Sequence, residues 1–526
     1  MIELKKESHK KIYNQVLYNL ENIEDKIDSV DIYNYSLDDF EPILLYELLD
    51  NIRLIIENER QNNLSSMGVD ICCRVIIEEC ALLRAHKNDW ITDAQRALFL
   101  LEYLSADIDA HIKKADKTEL KELFENKKQK LLEEYQRILN CDINKAKEVA
   151  TARRAYLQYG GKRYYPSMNV FVLASLGKDY LLYREKLNIF IHPSYTEGEH
   201  FAYDKDIENE RKRIINTVLS LGLQFVPELD DKVYRKTKWN NEYLDEWTLS
   251  TIKSLRKQFK ETFKYDQHDE SYDESNLKNN ATRWIIFSCF RKLEDVFVDM
   301  LICDSLNMKT QIASRCKAFL EMVSMLGSFV EVSDLDRTTE DFVMSTITAL
   351  SMKENYRIFD KIQKHKKLSE AEELKYDELL TTLDRYYVDF KKNHDYPSCE
   401  EEFAIGMRSS MLYFINPDVS YSHKNLTIDM INKFIGDVST RKRLISDYHW
   451  SSKLGHVCAY KNTYKENKLY NLLPDLIHYF NEILDRIYDV EGSEALVDYL
   501  DALKKEIISL NKEAYNNEQS KIYKAA

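Results

Sequence analysis

Chain breakers are scarce in this sequence. Eleven glycines and seven prolines serve 526 residues, about a quarter of ordinary usage. Sheets need turns at short intervals, and turns consume Gly and Pro. A chain this poor in both must fold from long uninterrupted segments. Those segments are rich in Lys, Glu, Leu and Ile, residues that sit well in helices. The expectation is an all-α protein, long enough for more than one domain's worth of core.

Apolar periodicity marks the elements. Ile12, Val16, Leu17, Leu20, Ile23 and Ile27 recur at helical spacing within 3–30. Ser36 with Asp38 and Asp39 reads as a helix start, and Pro42 falls early in the helix that follows. A third helix opens near Ser66 and is apolar almost all round, as a central buried helix is. It nonetheless carries Arg74 and Glu78, whose i, i+4 spacing lets them serve each other. A helix from Asp93 to Ala115 follows, then a charged one from Lys117 to Leu139 that reads as a solvent-facing arm. Gly160, Gly161 and Pro166 mark a loop. The next helix ends at His192, because a residue before proline is disfavoured in the α region.

The second half repeats this order. Tyr243–Phe263, Trp284–Leu301 and the run Cys316-Lys317-Ala318-Phe319-Leu320-Glu321 follow one another as their counterparts do in the first half. The last of these aligns with Cys73-Arg74-Val75-Ile76-Ile77-Glu78, Lys317 replacing Arg74. Leu368–Phe390 matches the charged arm, and His456 answers His192. The reading is a tandem duplication: two related multi-helix units, 1–235 and 236–526, packed in tandem or as an intramolecular pseudo-dimer. A polar loop at 264–280 interrupts the second.

Net charge is −14, which repels nucleic acid and anionic membrane except at a local patch. Nine cysteines without a CxxC pair suit buried free thiols in a reducing compartment. No long apolar run and no signal segment is present, so a cytoplasmic protein with no membrane partner is expected. No metal-binding or cofactor motif occurs, and none is expected to be bound. His86 and His200 stand alone and read as surface residues.

Two groupings could carry chemistry. Asn188 lies four positions before His192, and Ser452 four before His456, so each pair shares a helix face. Arg184 lies two turns before His192. If the Arg74–Glu78 helix packs alongside, Arg74, Glu78, Arg184, Asn188 and His192 converge, with Lys317, Glu321, Ser452 and His456 in the second copy. A neutral histidine can take a proton from a ribose 2′-hydroxyl while an arginine stabilises the phosphorane. The other reading of the same residues is a buried polar network that fixes how two helices dock. The second grouping is basic and aromatic: Arg153, Arg154, Lys162, Arg163 and Tyr164 could neutralise phosphates and stack on bases, or simply balance acidic neighbours. The matching segment of the second unit, Cys399-Glu400-Glu401-Glu402-Phe403, is acidic, so one unit at most binds an anion there.

The pairing of Arg-x3-Glu on a central helix with Tyr183-Arg184, Asn188 and His192-Pro193-Ser194 downstream resembles a bacterial all-helical domain family of unknown function. The similarity spans 40–215 and, more faintly, 284–480. That group is similar in layout to HEPN domains and to abortive-infection proteins of phage defence. The resemblance implies a metal-independent ribonuclease, with RNA, another protein or a second copy as partner. The alternative is a non-enzymatic helical sensor or scaffold. HEPN sites use Arg-x4–6-His; Arg184 and His192 are further apart than that, whereas Arg443 and His449 fit it.

Overall fold

The computed structural model describes residues 6–28, 35–64, 66–101, 121–152, 157–159, 162–164, 168–191, 205–227, 244, 246–262, 293–306, 308–333, 426–454, 475–480 and 482–483. The described residues are all-α apart from one short hairpin. In order, the helices are α1 (Lys6–Asp28), α2 (Phe40–Arg60), α3 (Met67–Lys87), α4 (Asp93–Leu100), α5 (Lys121–Leu139), α6 (Ile143–Ala152), α7 (Met168–Leu176), α8 (Lys178–Ile191), α9 (Lys205–Leu223), α10 (Glu246–Thr262), α11 (293–305), α12 (Lys309–Ser333), α13 (Leu426–Phe434) and α14 (Val438–Leu454). A helical stretch at 475–480 closes the described chain.

The central helix is α3. Every residue from Ser66 to Leu83 is buried, and α2, α7, α8 and α9 pack around it. Its start is defined locally: the Ser66 hydroxyl accepts from the amides of Gly68 (3.0 Å) and Val69 (3.3 Å), which satisfies two N–H groups left open at a helix N-terminus. The start of α2 is set by a capping box between Ser36 and Asp39 across a short 3-10 turn, Leu37–Asp39.

Helices in a glycine-poor chain must stop by other means. Asn62, Asp89 and Asn140, just beyond α2, α3 and α5, have φ of 53°, 55° and 47°. Asn and Asp are the residues besides glycine that enter this left-handed region readily. Glycine takes that place between α7 and α8, where Gly177 has φ 92°.

In the second half α12 is the hub, packed by α13 and α14. Phe297 of α11, Phe319 of α12 and Phe480 stack in its core, Phe319 edge-on to Phe297 at 4.9 Å between ring centroids. One continuous apolar core runs from Tyr13 to Ile483.

Helix α6 precedes a short hairpin in which Leu157–Tyr159 (β1) pairs antiparallel with Lys162–Tyr164 (β2), Gln158 opposite Arg163; Gly160, Gly161 and Pro166, read from sequence as a loop, lie outside the described residues. Two expectations are corrected here. The charged arm is not wholly solvent-facing, because Leu131, Leu132 and Tyr135 of α5 are buried; lysines and glutamates hide such a stripe when composition alone is read. His86 is no plain surface residue either: its ring meets Phe40 edge-on at 5.2 Å and is half-buried. His192, His200, His456, Arg153, Arg154 and the segments 264–280, 368–390 and 399–403 lie outside the described residues, as do the side chains of Asn188, Ser452, Lys162, Arg163 and Tyr164.

Candidate functional site

Helix α3 carries Glu78 on the side that faces α8, and the carboxylate is completely buried. Arg184 of α8 answers it. Its Nε donates to Glu78 Oε1 at 2.8 Å and its Nη2 lies 2.6 Å from the same oxygen. The remaining nitrogen, Nη1, donates to Asn169 Oδ1 of α7 at 2.6 Å. The Asn169 amide in turn donates to Glu185 Oε1 at 2.9 Å. One buried carboxylate therefore ties three helices together. Gly177 makes this possible, since it turns the chain so that α7 and α8 lie together on α3.

Arg74 sits one turn before Glu78 on α3 and is also buried. Burial pushes its guanidinium below the usual arginine range, to about 10; Glu78 opposes that shift and Arg184 adds to it. Two arginines thus face one carboxylate in a low-dielectric setting, where each charge interaction is strong and each unpaired charge costly. The structure brings together Arg74, Glu78 and Arg184 as the sequence implied. Arg184 reaches the carboxylate across a helix contact, and Arg74, its i, i+4 neighbour, faces the same group.

A second buried carboxylate lies on the central helix of the second half. Glu321 of α12 is buried and accepts from the Tyr448 hydroxyl of α14 at 3.2 Å. Lys317 lies 4.0 Å away, one turn back and about a quarter exposed (27%). Next to Tyr448, buried Ser451 donates its hydroxyl to the Tyr448 carbonyl at 3.0 Å. Helices α13 and α14 flank α12 as α7 and α8 flank α3.

Arg443 grips Asp475 with two nitrogens, at 2.6 and 2.9 Å, and donates to Ser439 and Thr440. His449, six positions on, is turned about 120° around the helix axis and lies beside Tyr448 at 5.8 Å. Among the described residues no cluster of His, Cys, Asp or Glu could hold a metal ion, and no helix is long and apolar enough to cross a membrane. The cysteines described are free thiols, five of them buried.

One polar cluster had no local signal in sequence: Arg315 of α12 with Asp299 of α11, both completely buried. They are sixteen positions apart, beyond any helical spacing rule. Comparison with protein-family models, curated proteins and solved structures gave no match.

Proposed function

We propose that this chain is a non-enzymatic helical interaction protein, a sensor or scaffold of a defence or regulatory complex, in which the buried charges lock helices together. The observation that carries this reading is the state of Arg184. All three of its nitrogens face protein acceptors, and its side chain is 9% exposed. An arginine that stabilises a phosphorane has to present its N–H groups to a ligand; this one presents them to Glu78 and Asn169.

The second unit supports the same view. Glu321 stands on α12 where Glu78 stands on α3, and Tyr448 on α14 takes the part of Arg184. This agreement favours two copies of one ancestral unit. A docking lock tolerates the exchange, because either donor satisfies a buried carboxylate. A phosphate site does not, because tyrosine brings neither the charge nor the forked donors of arginine.

The competing reading is a HEPN-type metal-independent ribonuclease, with His192 as acid/base and Arg184 or Arg74 on the phosphate. Incubation of total RNA with the full chain and with His192→Ala separates the two. The interaction-protein reading expects no cleavage by either, while Arg184→Ala lowers the melting temperature. Cleavage by wild type that His192→Ala abolishes overturns it in favour of the nuclease.

A further inference from the structure

The two halves of the chain meet at the first turn of α3, and the contact is polar. Arg315 Nε donates to Asp299 Oδ2 at 2.5 Å. Its Nη1 reaches Gln311 Oε1 and Ser314 Oγ, both at 2.6 Å. Its Nη2 crosses to the first half, to the Gly68 carbonyl at 3.1 Å and the Cys72 sulfur at 3.0 Å. The other carboxylate oxygen of Asp299 accepts from Asn58 Nδ2 of α2 at 2.7 Å. Asn58 is in turn bonded by Asn63 (2.8 Å), whose side-chain Oδ1 accepts from Arg256 Nη2 of α10 at 3.4 Å. Arg256 Nη1 also donates to the Gln61 carbonyl at 2.7 Å.

Two features show how specific this seam is. Gly68 packs so closely that a Cβ there would collide with the Asp299 carboxylate. The same turn of α3 is held from the first half by Arg211 of α9, through Asp70 and the Ser66 carbonyl (3.0 Å for the latter). An arginine from each half thus converges on one helical turn.

We infer that the Arg315–Asp299 pair is an orientation latch between the two halves: it fixes how the second half seats on α3, and it adds little to the strength of the seam. Both charges are fully desolvated, and the cost of stripping their water offsets most of their attraction. An apolar pair of the same shape would bury as well. What apolar side chains lack is direction, whereas Arg315 and Asp299 are satisfied in one relative placement of α2, α3, α11 and α12. Burial pushes the thiol of the neighbouring Cys303 up, which keeps it in its neutral form. This inference goes beyond the interaction-protein reading and does not rest on it.

The test uses the full chain, with labels placed by non-cysteine chemistry at exposed Asn88 and Lys442, and reads the melting temperature and the distance distribution between the labels. Arg315→Met and Asp299→Leu singly should each melt several degrees lower, because each leaves one buried charge unpaired. The double variant should recover the part of that loss owed to the unpaired charge, short of what Asn58, Gln311 and Ser314 forfeit with their partners gone, while its distance distribution broadens or splits. A double variant as unstable as the singles overturns the inference, since the pair would then be a net stabiliser. A recovered double variant with one narrow distribution also overturns it, since orientation would be set elsewhere. Asp299→Asn, which keeps the shape, is measured in parallel. It should broaden the distribution too, and a narrow one counts against the latch.

Discussion

Tyr448 of α14 donates its hydroxyl to buried Glu321 of α12 at 3.2 Å, and Arg184 of α8 grips buried Glu78 of α3. Two buried carboxylates on two central helices thus meet different chemistry across a helix contact, one an arginine and the other a phenol, with Lys317 4.0 Å from the second. The difference makes their energetics separable.

Tyr448→Phe removes the hydroxyl and leaves the ring. Glu321 is buried, so it loses a donor that water does not replace. The expected loss is about 1–3 kcal/mol, the cost of leaving a buried polar group unsatisfied, measured by urea denaturation. In a double-mutant cycle with Glu321→Leu the two effects should be strongly non-additive. Additive losses would mean that the hydroxyl and carboxylate do not depend on each other.

Glu78→Gln should be worse. It keeps the shape but removes the carboxylate that Arg74 and Arg184 both face, leaving Arg184 the more distant Glu185 at 3.6 Å. Breaking a buried pair by removing one partner costs about 3–5 kcal/mol. Adding Arg184→Met to Glu78→Gln should restore part of the stability, because one of the two buried cations is gone. Denaturation midpoints of the two variants decide this.

The helices were legible because their signals are local. Ser66, with the apolar run behind it, announces α3 within a few residues, and the capping Ser36–Asp39 pair does the same for α2. The meeting of Arg74, Glu78 and Arg184 was also legible, since buried charges on an apolar helix demand partners and few candidates exist. The hydrogen bonds of Arg184 to Glu78 were not, because they depend on the packing of α8 against α3. Arg315 and Asp299 gave no sign at all: their spacing matches no period, and their partners Gly68, Cys72 and Asn58 are more than two hundred residues away in sequence.

His86 gives stability a pH dependence with a definite sign. Burial, followed by the charge of Arg96, lowers its pKa below 6.5. The unfolded chain therefore takes up a proton more readily than the folded one. Stability from this residue is fully present above pH 6.5 and is lost as pH falls through that value toward the lower folded pKa. His86→Phe, which keeps a ring against Phe40, should flatten this part of the stability profile. An unchanged slope below pH 6.5 in urea denaturation would assign the dependence to other groups.

Ser66→Ala tests the start of α3. The hydroxyl caps two amides inside a fully buried turn, so no water can replace it. The loss should be at or above the usual cap value of about 1 kcal/mol, read as a shift in the urea midpoint. Ser66→Asp offers a stronger acceptor but brings a charge beside Asp70, and should not rescue it.

Gly68→Ala sets two effects against each other. Gly68 lies in the first turn of α3, and helix propensity alone would favour alanine by about 1 kcal/mol. The added methyl group, however, would meet the Asp299 carboxylate, which is held from one side by Arg315 and from the other by Asn58. The carboxylate cannot swing aside without abandoning one of them, so the steric term should win and the variant should be destabilised, by about 1–3 kcal/mol for an overpacked site. The background variant Asp299→Ala removes the colliding group. There the same Gly68→Ala change should cost much less, or even stabilise as propensity dictates. An equal cost in both backgrounds would show that the close approach of Gly68 to Asp299 is not what demands a glycine.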